Sequence, residues 1–144
     1  MNHSTLEKLK FPIGKCPKID TVSETELENW ITTIETFSSK IISLTKTLSV
    51  EELNWIYRPK GWSIKQVVHH CADSHMNSFI RFKLALTEDV PIIKPYEEQL
   101  WAELADGNSN DIVPSLQIIE SVHKRWVLLL KSLSSTELKR QFFH

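Results

Sequence analysis

The chain has 144 residues, a formal net charge of −1, 41% hydrophobic and 24% charged residues. That supports one soluble globular domain with its own core. It excludes a basic nucleic-acid stripe, and no apolar run approaches the ~20 residues that span a bilayer. The start, MNHSTLEKLKF, lacks the apolar centre of a signal peptide. Cys16 and Cys71 form no CxxC pair, so a reduced, cytoplasmic protein is expected, with Cys71 as a small buried side chain. Only three glycines occur, which argues against a turn-rich all-β fold and against a phosphate-cradling glycine loop.

In chain order, residues 1–22 read as an extended arm with two prolines. Ser23 and Glu26 form a capping box. Leu27, Trp30, Ile31, Ile34, Phe37, Ile41, Leu44 and Leu48 then follow at helical spacing, giving an amphipathic helix to about Thr47. Ser49 and Glu52 cap a short turn, and Pro59 with Gly61 breaks it. Ser63 and Gln66 open a second long helix running to about Thr87. The stretch EDVPIIKPYEEQLW is an irregular connection in which Tyr96 and Trp101 cover the bundle end, and ADGNSND is a loop. Pro114 starts a third long helix through Leu133, and Ser134 with Glu137 caps a short last segment. No period-two alternation appears, so the fold class is all-α, a helical bundle.

KTLSVEELNWIYRP from Lys46 and KSLSSTELKRQFFH from Lys131 share Lys, Leu, Ser, Glu and Leu at equal spacing. The first copy leads into a long helix. A repeat therefore implies a fourth helix after His144, and the apolar QFFH end points the same way; chance similarity of a common helix-turn phrase is the alternative.

The second long helix carries His69, His70 and His75. Placed at about 100° per residue from Ile64, the core stripe comprises Ile64, Val68, Cys71, His75, Phe79, Phe82 and Leu86. His70, Asp73, Ser74, Asn77 and Arg81 fall between roughly 180° and 280°, a polar stripe without Lys or Glu. It reads either as the wall of a ligand cavity or as an ordinary polar face. On the first reading His70 faces the site and His69, beside Lys65 and Lys83, faces water. Neutral imidazole is a good ligand for zinc or nickel, and Asp73 lies one turn on, although catalytic metal sites take three protein ligands. Asn77 and Arg81 suit a substrate carboxylate or amide, and Trp62 suits a cavity wall. His75 and His123 read as structural core histidines, His123 bonded to a neighbour; His3 and His144 are left without a role. No HExxH and no nucleophilic triad is present, so no catalytic residue is assigned.

The segments FPIGKCPK, GWSIKQVVHHCADSHMNSFIRFKLALTED, PYEEQLWAEL and VHKRW followed by FFH together resemble the YfiT branch of the DinB-like superfamily, from Phe11 to His144. The resemblance implies a four-helix bundle of up-down-down-up type, here without its last helix. Residues 1–144 would then be a single, C-terminally truncated domain. It further implies a divalent metal, zinc or nickel, held by three histidines, of which one falls on His70. The other two belong to an HxxxH pair on the last helix, which has no counterpart in these 144 residues, so the metal itself is open for this chain. The implied activity is metal-dependent hydrolysis or transfer of a thiol of the bacillithiol type to a small electrophile, in a cytoplasmic homodimer without nucleic-acid or membrane partners. The alternative is a non-catalytic helical interaction module whose open face is covered by a partner.

Overall fold

In the computed structural model, residues 3–17, 19 and 21–143 are described, without the side chains of His3 and Ser4. The described elements are α1 (His3–Lys10), α2 (Glu24–Thr45), α3 (Val50–Leu53), α4 (Ile64–Thr87), α5 (Glu98–Trp101), α6 (Val113–Ser132) and a 3-10 turn at Glu137–Lys139. No strand occurs among them. His144 lies outside the described residues.

Local signals set the helix starts. Ser23 with Glu26, Ser49 with Glu52 and Ser63 with Gln66 each form both bonds of a capping box. Ser134 and Glu137 make the same reciprocal pair before the 3-10 turn, so the two repeated segments share one local structure. Lys60 takes a positive φ of 57° before Gly61. A Cβ on Gly61 would lie 2.7 Å from the Arg58 Cγ and 2.9 Å from its carbonyl oxygen, so only glycine closes this turn into Trp62.

The 1–22 segment differs from the extended arm expected. It starts with the two-turn helix α1, whose Lys10 reaches Glu7 at 3.0 Å. Its STLEKLK run consists mostly of good helix formers, and the pair three apart supports it. The segment from Phe11 to the start of α2 is irregular and exposed where described.

Two core clusters fix the helix directions. At one end Leu53, Val68 and Ile112 pack with Ile41, Leu48, Ile64 and Leu116. At the other, Phe79, Trp126 and Leu130 pack with Ile31, Ile34, Val122, Leu129 and Leu133. Thus α4 and α6 run the same way and α2 runs against both. Both α2 and α4 pack along α6, and they barely meet each other. Ile119, at the centre of α6, is 0% exposed.

Between α2 and α4 lies a groove of about 740 Å³. Leu27, Trp30, Phe82, Leu86, Leu138 and Phe142 give it an apolar lining. The C-terminal segment crosses its end. The Phe143 N–H donates to the Pro91 carbonyl at 3.0 Å, the Ile93 N–H donates to the Phe143 carbonyl at 2.7 Å, and the Arg140 guanidinium donates to the carbonyls of Ala85 and Glu88. A cation on those last carbonyls caps α4. Phe142 and Phe143 themselves stay exposed, as the QFFH end suggested. No described helix is long and apolar enough to cross a membrane.

Replacing Ile119 by Ala removes the most enclosed side chain of α6, and unfolding in urea is expected to show a loss of about 3 kcal/mol.

Candidate functional site

The two adjacent histidines of α4 have opposite surroundings. His69 is 6% exposed. Its Nε2 lies 3.0 Å from the Ser109 carbonyl oxygen, which can only accept, so Nε2 carries the proton. Its bare Nδ1 then accepts from the Ser115 hydroxyl at 2.7 Å. The expectation that His69 faces water is therefore wrong. The cause is rotational: α4 buries Val68, His69, Ala72 and Phe79, a stripe turned by about 60° from the one centred on Ile64 and Cys71. That turn brings His69 against the start of α6 and leaves Ile64, Cys71 and His75 half-buried.

His70 lies at the edge of the buried face. It is half-buried, its ring is tilted against Trp62 at a centroid distance of 4.6 Å, and among the described residues no hydrogen bond engages its nitrogens. Asp73, one turn on, sits on the same face. Burial holds its carboxyl above the usual range, Asp106 adds to this, and His70 and His69 oppose it. The Asn77 amide donates to the Asp73 backbone carbonyl at 2.9 Å, on its own helix. Arg81 donates to the Lys94 carbonyl at 3.3 Å and lies 6.0 Å from the Tyr96 ring centroid, so the connection after α4 already engages it. A cleft of about 660 Å³ runs between Asn77 on α4 and Lys94, Tyr96, Leu100, Trp101 and Leu104. The Tyr96 and Trp101 rings meet at a centroid distance of 4.4 Å, tilted by 43°.

For two groups that the sequence singled out, the structure adds the hydrogen-bonding state. The Trp62 Nε1–H and the Tyr96 hydroxyl are sealed from solvent without a partner. Burial, with Glu98 and Asp73 nearby, raises the Tyr96 phenol against the opposing effect of Arg81. The other is a pair of core rings. His75 Nδ1 lies 2.7 Å from His123 Nε2, and His123 Nδ1 lies 2.6 Å from the Ile34 carbonyl oxygen. The neighbour bonded to His123 is thus another histidine.

The donor set for a metal is incomplete among the described residues. No three His, Cys, Asp or Glu side chains among them come together as a metal site. His69 has both nitrogens engaged, and His75 and His123 bond each other. His70 with Asp73 is a partial set, short of the three protein ligands of a catalytic metal.

The family model for the DinB superfamily matches residues 33–144. The chain belongs to the DinB superfamily. Within this superfamily it is similar to YfiT of Bacillus subtilis (strain 168), named as a candidate metal-dependent hydrolase, at 41% identity over 97% of this chain and 79% of the relative. A Bacillus mycoides (strain KBAB4) relative with the same kind of name is 45% identical over 96% of this chain and 80% of its own length. The solved structure of B. subtilis YfiT, described as a four-helix bundle of unusual topology, superposes with a TM-score of 0.92, covering 95% of this chain and 78% of that one. The fold is therefore that of a YfiT-type, DinB-like helical bundle.

Replacing His69 by Ala strands the Ser115 hydroxyl and the Ser109 carbonyl. A loss of about 2 kcal/mol in chemical denaturation is expected. Burial and the neighbouring His123 and His70 lower His75 from 6.5 to about 4. Between those values the unfolded chain holds a proton on this group that the folded chain lacks, so the stability it contributes, complete above pH 6.5, is lost as the pH falls toward 4. Thermal unfolding of wild type and His75→Gln across that window should show a steeper acid decline in wild type.

Proposed function

We propose that the chain is a metal-dependent hydrolase or a thiol transferase of the bacillithiol type, with His70 as a metal ligand. The observation that carries this is the state of His70: a half-buried imidazole one turn before Asp73 with neither nitrogen hydrogen-bonded among the described residues. The names of the relatives support metal dependence. Zinc or nickel is the proposed ion, since imidazole suits both. Such an ion lowers the pKa of a bound water or thiol when it is present. The described residues supply too few donors to hold it alone, so their assigned work is binding and orientation. Asp73 and Trp62 flank His70, while Asn77 and Arg81 form the wall toward the cleft. The proposed partners are a small-molecule substrate and a second copy of the chain, in the cytoplasm.

A second reading, a non-catalytic interaction module, draws on the apolar groove between α2 and α4. Metal analysis separates the two. Titrated zinc or nickel is expected to bind wild type more tightly than His70→Ala, both proteins being checked for folding by circular dichroism. Equal metal in both would reject His70 as a ligand, and a metal-free dimer in size-exclusion chromatography would favour the module.

A further inference from the structure

The cleft of about 660 Å³ between α4 and the connection that follows it is walled by segments of this chain on both sides, and its lining restricts what can occupy it. The Tyr96 and Trp101 rings and Leu104 form one wall, and Asn77 stands on the other. Trp101 is 38% exposed and Leu104 55%, so this wall leaves apolar surface in contact with water. The Tyr96 ring does not stand alone: Trp101 meets it at 4.4 Å and the Arg81 guanidinium lies 6.0 Å from its centroid. A supported aromatic wall of this kind favours a flat ring laid on it, which takes the apolar surface out of water.

Asn77 supplies the direction that stacking lacks. The Asp73 carbonyl can only accept, so the Asn77 amide nitrogen is the atom 2.9 Å from it. That bond uses one N–H. Among the described residues nothing engages the second N–H or the Oδ1 oxygen. One donor and one acceptor on a single amide are complementary to another amide, which offers a C=O to the first and an N–H to the second. The ionised residues of the lining are Lys94 and Glu97, one of each sign, so the cleft favours neither an anion nor a cation.

We propose that this cleft binds an uncharged, flat cyclic amide, with Tyr96 and Trp101 as the stacking wall and Asn77 as the group that sets the orientation of the ring. This names the substrate class of the site beside His70, and it rests on the functional reading above only in treating the ligand as a substrate. Apolar contact with the wall supplies affinity for flat rings in general. The Asn77 amide supplies the choice among them, because a ring without an N–H leaves the Oδ1 oxygen covered and unpaired.

The test titrates quinolin-2-one, a bicyclic amide of this kind, into the wild-type chain. In ¹⁵N–¹H spectra the Asn77 side-chain amide and the Trp101 indole signals are expected to move together. The N-methyl derivative keeps the ring and the carbonyl but has no N–H, and it is expected to bind about tenfold more weakly, the effect of one hydrogen bond. Naphthoate and naphthylmethylamine, flat rings with a negative and a positive charge, are expected to bind more weakly than quinolin-2-one. In Asn77→Leu, checked for folding by circular dichroism, quinolin-2-one and its N-methyl derivative are expected to bind equally. Equal binding of those two by the wild type, tighter binding of either charged ring, shifts confined to the groove of Trp30 and Phe82, or no shift at millimolar quinolin-2-one would each overturn the proposal. None of these readouts requires a metal, so they succeed or fail apart from the metal titration of His70→Ala.

Discussion

The shared packing of α2 and α4 on α6 is the constraint on which the rest of the molecule depends. It is set by apolar burial at both ends, through Val68 with Ile112 and Phe79 with Trp126. Burial of this kind is non-directional and leaves the rotation of a helix loosely defined. The bonds from His75 to His123 and from His123 to the Ile34 carbonyl remove that freedom, because they join the three long helices at specific atoms. A buried polar group without a partner costs about 1–3 kcal/mol, so each rotation that breaks this chain is disfavoured.

The rotation of α4 decides what its histidines can do. Turned toward α6, His69 is a fully bonded structural group with no nitrogen to offer. One residue later, His70 reaches the rim with neither nitrogen hydrogen-bonded among the described residues. The difference is one of hydrogen-bond satisfaction rather than residue type. The same criterion marks Trp62 and Tyr96, whose indole N–H and phenol have no partner around Asp73. Hydrogen-bond satisfaction alone does not delimit the site, because among the described residues the Trp126 Nε1–H in the core is also without a partner.

The arrangement of α2, α4 and α6 leaves an apolar groove where two helices flank a third and barely meet each other. The relative described as a four-helix bundle superposes closely on this chain while extending beyond the matched part. Half-exposed Trp30 and Phe82 line the groove, and the Arg140 and Phe143 backbone contacts tie the following segment across its end.

Local chemistry was legible in the sequence. The capping boxes at Ser23, Ser49 and Ser63 depend on residues three apart, and the helix periodicities on residues three and four apart, so no knowledge of the fold is needed to read them. The all-α class, the start of α4 at Ile64, the outward Phe142 and Phe143, and the family signature around GWSIKQVVHH follow from such short-range patterns. What only the tertiary structure decided involves partners far along the chain. Ser109 and Ser115 claim His69, Ile34 sets the tautomers of His123 and His75, and the connection after α4 brings Tyr96 beside Asp73 and takes up Arg81. A helical wheel gives the angles between side chains but not its own zero. That zero is fixed by which neighbouring helix buries the most surface, a property of the whole packed bundle.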